Sequence, residues 1–161
     1  MSNWPGDDAV FPLCIPIIKQ FEGFRAAPYQ DSAGIPTIGY GTIEYPNGKA
    51  VTMNDPSITE EQATVYLRHQ MSQKSAAIAP ALQRRASRHQ GAAMLSLTYN
   101  IGTAAFKGST VLRKYNVGDL PDAADAFLLW DKAWVDGQLV VVPGLLKRRQ
   151  QERTIFLTTD S

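Results

Sequence analysis

The chain has 161 residues, of which 44% are hydrophobic and 19% charged, a balance that fits one globular domain with a real core and excludes disorder. Its formal net charge of +1 gives no bulk attraction to nucleic acid. The single cysteine, Cys14, excludes a disulfide framework and reads as a structural thiol; His69 and His89 lie too far apart for metal-ligand spacing, so neither a metal nor a cofactor is implied.

Residues 1–8 are acidic and turn-forming where a secretory signal would be basic and then apolar, and residues 9–18 are too short and proline-broken to span a membrane. No signal peptide, signal anchor or membrane span is expected. Pro16 is suited to opening a helix, with Ile17, Ile18, Phe21 and Phe24 recurring at helical spacing as its buried face. Gly23 suits the left-handed position just past a helix end, which puts Glu22 in the last turn, near the negative pole of the helix dipole. That pole and the two phenylalanines both favour the protonated carboxyl, the form a general acid holds near neutral pH.

Residues from about 26 to 58 are rich in Gly, Pro, Thr and Tyr and read as a small β lobe. Within it, Tyr29-Gln30-Asp31-Ser32-Ala33-Gly34 predicts a tight turn between two short strands, where a wet Asp31 carboxylate stays ionised, and Thr37 follows on the second strand. Asn47-Gly48 predicts a hairpin between Ile43-Glu44-Tyr45 and Ala50-Val51-Thr52-Met53. Thr59-Glu60-Glu61-Gln62 is a capping box opening a long helix, with Val65, Leu67 and Met71 facing inward. The stretch from Gly91 to Asn100 is apolar almost all round, as expected of a central helix. Asp119 to Trp130 and Pro143 to Leu157 read as amphipathic helices, separated by a Gly137-Gln138 turn and a short strand or packed loop over Leu139-Val140-Val141-Val142. The basic clusters at Arg84-Arg85-Arg88 and at Lys147-Arg148-Arg149 with Arg153 read as solvated helix faces in preference to a binding patch. No repeat or low-complexity linker divides the chain. The expected architecture is α+β, mainly α: a single domain over 1–161 with a β-hairpin lobe, a larger helical lobe and a cleft between them.

A glutamate at a helix end, an aspartate before Ser-Ala-Gly and a threonine in a strand are, singly, most often a surface residue, a turn former and a sheet residue. Together they offer two carboxyls in unlike surroundings with a hydroxyl close in sequence, the set that acid–base cleavage of a glycosidic bond requires. Glu22-Gly23-Phe24-Arg25, Tyr29-Gln30-Asp31 and Gly34-Ile35-Pro36-Thr37-Ile38-Gly39-Tyr40-Gly41 resemble the active-site segment of the phage-type lysozymes, the endolysins of glycoside hydrolase family 24. That family's pattern is a Glu, eight residues, an Asp or Cys, five residues and a Thr, and Glu22, Asp31 and Thr37 meet it without insertion. From about Ile15 to about Leu157 the resemblance continues in order through Leu95-Ser96-Leu97-Thr98-Tyr99-Asn100-Ile101-Gly102, Ala105-Phe106-Lys107-Gly108-Ser109-Thr110 and the segment from Pro143 to Arg153. Thr42 stands where the family commonly has His, and no role is assigned to it.

The resemblance implies a lysozyme-like fold and a muramidase that hydrolyses the β-1,4 bond between N-acetylmuramic acid and N-acetylglucosamine in peptidoglycan, by inversion, for host lysis. Glu22 would be the general acid, Asp31 the base or water-positioning group and Thr37 a second hold on the water. Tyr99, Asn100 and Ser109 would contact saccharide, and Arg148 would support the catalytic Glu. The implied protein is a monomer that stays in the host cytoplasm until a holin-type partner releases it. A lytic transglycosylase, or a catalytically silent wall-binding or phage-tail domain, is the competing reading.

Overall fold

The computed structural model describes residues 2–160. Helix α1 spans Asp7–Glu22 and carries Pro12 and Pro16 inside it, so it begins well before the expected start at Pro16. Gly6, at φ 103°, turns the chain into the helix, and its carbonyl accepts from the Ala9 and Val10 amides. Asp7 and Asp8 sit in the first turn, at the positive end of the dipole. Each proline removes one backbone donor, yet Val10, Phe11, Cys14, Ile17 and Ile18 are all buried; their packing outweighs both interruptions. Phe24 corrects the expected apolar face: Gly23 (φ 71°) closes the helix by donating to Lys19 O at 3.1 Å, and Phe24 lies beyond it, exposed, against the Tyr40 ring.

The chain divides into two compact units, one of them Ile18–Gln73 and the other the remainder. In the smaller unit, β1 (Arg25–Gln30) pairs antiparallel with β2 (Pro36–Gly39), with Tyr29 opposite Thr37 and Gln30 opposite Pro36. The Asn47-Gly48 turn forms as expected, Gly48 donating to Tyr45 O at φ 86°. Its flanks are not strands, however; they meet in a Glu44–Ala50 bridge and in bonds from Tyr45 N to Lys49 O and from Val51 N to Ile43 O. Exposed Ile43, Glu44 and Ala50 give this hairpin no buried face to extend along.

Helix α2 (Glu60–Ile78) opens on the expected capping box, with Gln62 N donating to Thr59 Oγ1 and Thr59 N to Gln62 Oε1. Its buried stripe is Ala63, Leu67, Met71, Ser75 and Ile78; Val65, expected inward, is 60% exposed because it falls off that four-residue step.

In the larger unit a 3-10 turn (Ala79–Ala81) follows α2, and α3 (Arg88–Ile101) is buried continuously from Gly91 to Thr98. Ser87 and Gln90 form a second capping box at its start. Two short helices, α4 (Thr103–Lys107) and α5 (Thr110–Asn116), lead to α6 (Leu120–Ala126). The helix expected over 119–130 tightens into a 3-10 turn at Phe127–Trp130. Next come β3 (Lys132–Val135) and β4 (Gln138–Val141), paired through an Asp136-Gly137 loop with both residues at positive φ, one residue earlier than the expected turn. The chain ends on α7 (Pro143–Leu157), which packs against α3.

Candidate active site

Glu22, Asp31 and Thr37 all fall in the smaller unit. Glu22 is the last residue of α1 and is half-buried. The end of that helix is pinned by a cluster from three segments: Glu60 Oε1 accepts from both Lys19 Nζ and Tyr40 Oη at 2.9 Å, and the Lys19 ammonium lies 5.2 Å from the Tyr40 ring centre. Burial and then the Glu60 hydrogen bond push the Tyr40 phenol up to about 12. The bonds from Lys19 and Tyr40 in turn hold the Glu60 carboxyl below its usual range.

Asp31 opens the turn between β1 and β2. Gly34 N donates to its carbonyl at 2.9 Å, and its Oδ1 accepts from the Ala33 and Ile35 amides, each at 2.9 Å. Oδ1 therefore builds the loop, while Oδ2 accepts no hydrogen bond among the described residues. Thr37 is buried, and its hydroxyl donates to Ile35 O at 2.8 Å. Having committed its proton, Oγ1 can still accept one from a water.

Tyr29 connects the three. It stands opposite Thr37 in the β1–β2 register. Its phenol is raised by burial first and next by the Glu22 charge, with a further push from Asp31 opposed by Arg25, so both carboxyls act on it. Arg25 lies 4.3 Å from the Tyr29 ring centre, a cation–π contact. Tyr29 and Arg25 carry no chemical motif in the sequence; the available signal was that both lie on β1 between Glu22 and Asp31.

The other candidate residues belong to the larger unit. Tyr99 is half-buried with the Lys74 ammonium 5.8 Å from its ring centre. Asn100 is exposed, and its Oδ1 accepts from Arg149 Nη1 at 2.9 Å. Ser109 is buried and caps α5, accepting from Leu112 N and donating to Phe106 O. Arg148 is buried, with Nη2 donating to Ser96 O at 3.1 Å and Nε to Glu152 Oε2 at 3.3 Å. The basic segment of α7 is thus not wholly a solvated face: Arg148 and Arg149 point into the core, where Glu152 binds both. Cys14 is buried, and burial followed by the Glu152 charge pushes its thiol up. Thr42, in the tight Ile38–Thr42 loop, is fully buried with no hydrogen-bond partner for Oγ1 among the described residues.

Comparison with known proteins identifies the family. The phage lysozyme family profile matches residues 19–152. The endolysin of Acyrthosiphon pisum secondary endosymbiont phage 1 is 41% identical over 87% of this chain and 92% of its own length, and that of Salmonella phage P22 is 40% identical over 88% and 92%. Among solved structures, the endolysin from Escherichia coli O157:H7 phage FAHEc1 superposes with a TM-score of 0.81 at 41% identity, covering 89% of each chain. A muramidase domain from Asticaccaulis excentricus superposes at 0.82 with 31% identity over 93% of this chain and 98% of its own. The profile spans both the Glu22, Asp31 and Thr37 segment and Glu152, and the chain belongs to the phage lysozyme family.

Proposed function

We propose that this lysozyme cleaves peptidoglycan as an inverting muramidase, with Glu22 as general acid and Asp31 and Thr37 holding the attacking water. As a phage lysozyme family member the protein is a glycoside hydrolase of the cell wall. Glu22 donates its proton to the bridging oxygen of the β-1,4 bond as the bond to the anomeric carbon breaks. A water on the opposite face of that carbon forms the new bond. Asp31 Oδ2 takes the proton the water loses, and Thr37 Oγ1 accepts its other hydrogen. Inversion requires the two carboxyls to stand about 6.5–9.5 Å apart, leaving room for the water. The observation that supports this division of labour is the placement of the three groups: Glu22 ends α1, Asp31 opens the β1–β2 turn with Oδ1 taken by the Ala33 and Ile35 amides and Oδ2 left to act, and Thr37 follows on β2.

Tyr99 and Asn100 contact the glycan in this reading; Ser109, also expected to do so, is buried and caps α5, and Arg148 is held inside the fold by Ser96 and Glu152. The protein acts as a monomer, resides in the host cytoplasm until lysis and depends on a holin-type partner for access to the wall. No helix among the described residues is long and apolar enough to cross a membrane. Glu22→Gln tests the central assignment. Wall lysis should fall roughly 10²–10⁴-fold while thermal stability stays near that of the wild type; undiminished lysis contradicts the role of Glu22.

A further inference from the structure

We infer that Arg149 is a positioning residue that locks the Asn100 amide with its NH2 group outward, and that this group receives the acetamido carbonyl of an N-acetylated sugar. The inference rests on the lysozyme reading and on Asn100 as a glycan contact. Arg149 is fully buried: Nη1 donates to Asn100 Oδ1 at 2.9 Å and more weakly to Trp130 O at 3.5 Å, Nη2 donates to Glu152 Oε2 at 2.9 Å, and Nε lies 2.6 Å from Glu152 Oε1 as an ion pair without hydrogen-bond alignment. Glu152, itself buried, also takes the Ser96 hydroxyl and Arg148 Nε. The fork is therefore fixed in place by α7 and α3 together.

A guanidinium has only donors, so the chemistry decides which end of the amide meets it. Turned over, Asn100 would set N–H against N–H and leave Nη1 only the distant Trp130 carbonyl at 3.5 Å. The amide nitrogen accordingly faces away from Arg149. Asn100 is exposed, and Nδ2 donates to no group among the described residues. An outward donor selects an acceptor. On an N-acetylated glycan the amide carbonyl is a stronger neutral acceptor than the hydroxyls. Lysine at 149 would keep a charge near Glu152 but not the planar fork that sets the amide.

The test measures kcat and KM on soluble, stem-peptide-free glycan strands for the wild type, Asn100→Ala, Arg149→Lys and the double variant, with a thermal melt for each. Arg149→Lys and Asn100→Ala should each raise KM about tenfold, the order of one hydrogen bond, and leave kcat within about twofold. In the Asn100→Ala background, Arg149→Lys should then change KM no further. An equal KM penalty from Arg149→Lys in both backgrounds would overturn the positioning role. Asn100→Asp provides a check that does not strain the buried network: it keeps the oxygen for Arg149 and loses the outward donor. Its melt should match or exceed the wild type's while KM rises; a wild-type KM overturns the proposal. De-N-acetylated strands should weaken binding to the wild type but not to Asn100→Ala, and an equal loss in both rules out the acetamido partner. A wild-type protein that produces no new glycan ends would instead defeat the lysozyme reading itself.

Discussion

Asp31 performs two tasks with one carboxylate, and they can be separated. Oδ1 accepts two amides of its own turn, whereas proton removal from water falls to Oδ2. Asparagine retains an acceptor for the turn and cannot act as a base. Asp31→Asn should therefore keep the wild-type melting temperature to within a few degrees and lose roughly 10²–10⁴-fold in activity, whereas Asp31→Ala should lose activity and also about 1 kcal/mol or more of stability. Parallel melts and turbidity assays check this, and an active Asp31→Asn contradicts it. Thr42 carries a different load, because its hydroxyl is buried without a partner among the described residues. Thr42→Val removes that polar group at nearly constant volume and should stabilise the fold by about 1 kcal/mol, visible as a raised melting temperature; a fall of that size would mean the hydroxyl is satisfied. At these positions the residue types and their spacing were readable from sequence. The Asn100–Arg149 bond was not, since the two partners lie on helices far apart in the chain and only their packing reveals which arginines turn inward.

Local signals located the elements well where the signal was a side-chain cap or a turn. The Thr59 to Gln62 box, the Gly23 stop and the Asp31 turn all appear where the chemistry of those residues puts them. They fail where burial outvotes propensity: α1 runs through two prolines because its buried face begins at Val10, and the 3-10 turn at Phe127–Trp130 buries Phe127 where a continuing α-helix was expected. Several of these elements are tied by carboxylates held below their usual range. Thr52 does this first for Asp55, Lys19 for Glu60 and His89 for Asp160. A depressed carboxylate contributes stability in full above its ordinary pKa and loses it as pH falls through its folded value. The melting temperature should hold on acidification to about pH 5 and then drop below about pH 4, and Asp55→Asn should flatten part of that drop. A melting temperature that rises over the same interval would contradict these contacts.

The whole chain combines a short hairpin unit that carries Glu22, Asp31 and Thr37 with a helical unit built around α3 and α7. Its mainly helical composition was legible from the long apolar run at Gly91 to Asn100 and from the capped α2. Arg148 and Arg149 were read, with Lys147 and Arg153, as a solvated face because basic residues look alike on either side of a helix, and their burial with Glu152 shows only in the packing. The most direct test of hydrolysis is to digest purified peptidoglycan, reduce the products with borohydride and identify the new glycan ends by mass spectrometry. Water attack at the site predicts reducible N-acetylmuramic acid ends. A 1,6-anhydro end, or no new ends with wall binding retained, would contradict it.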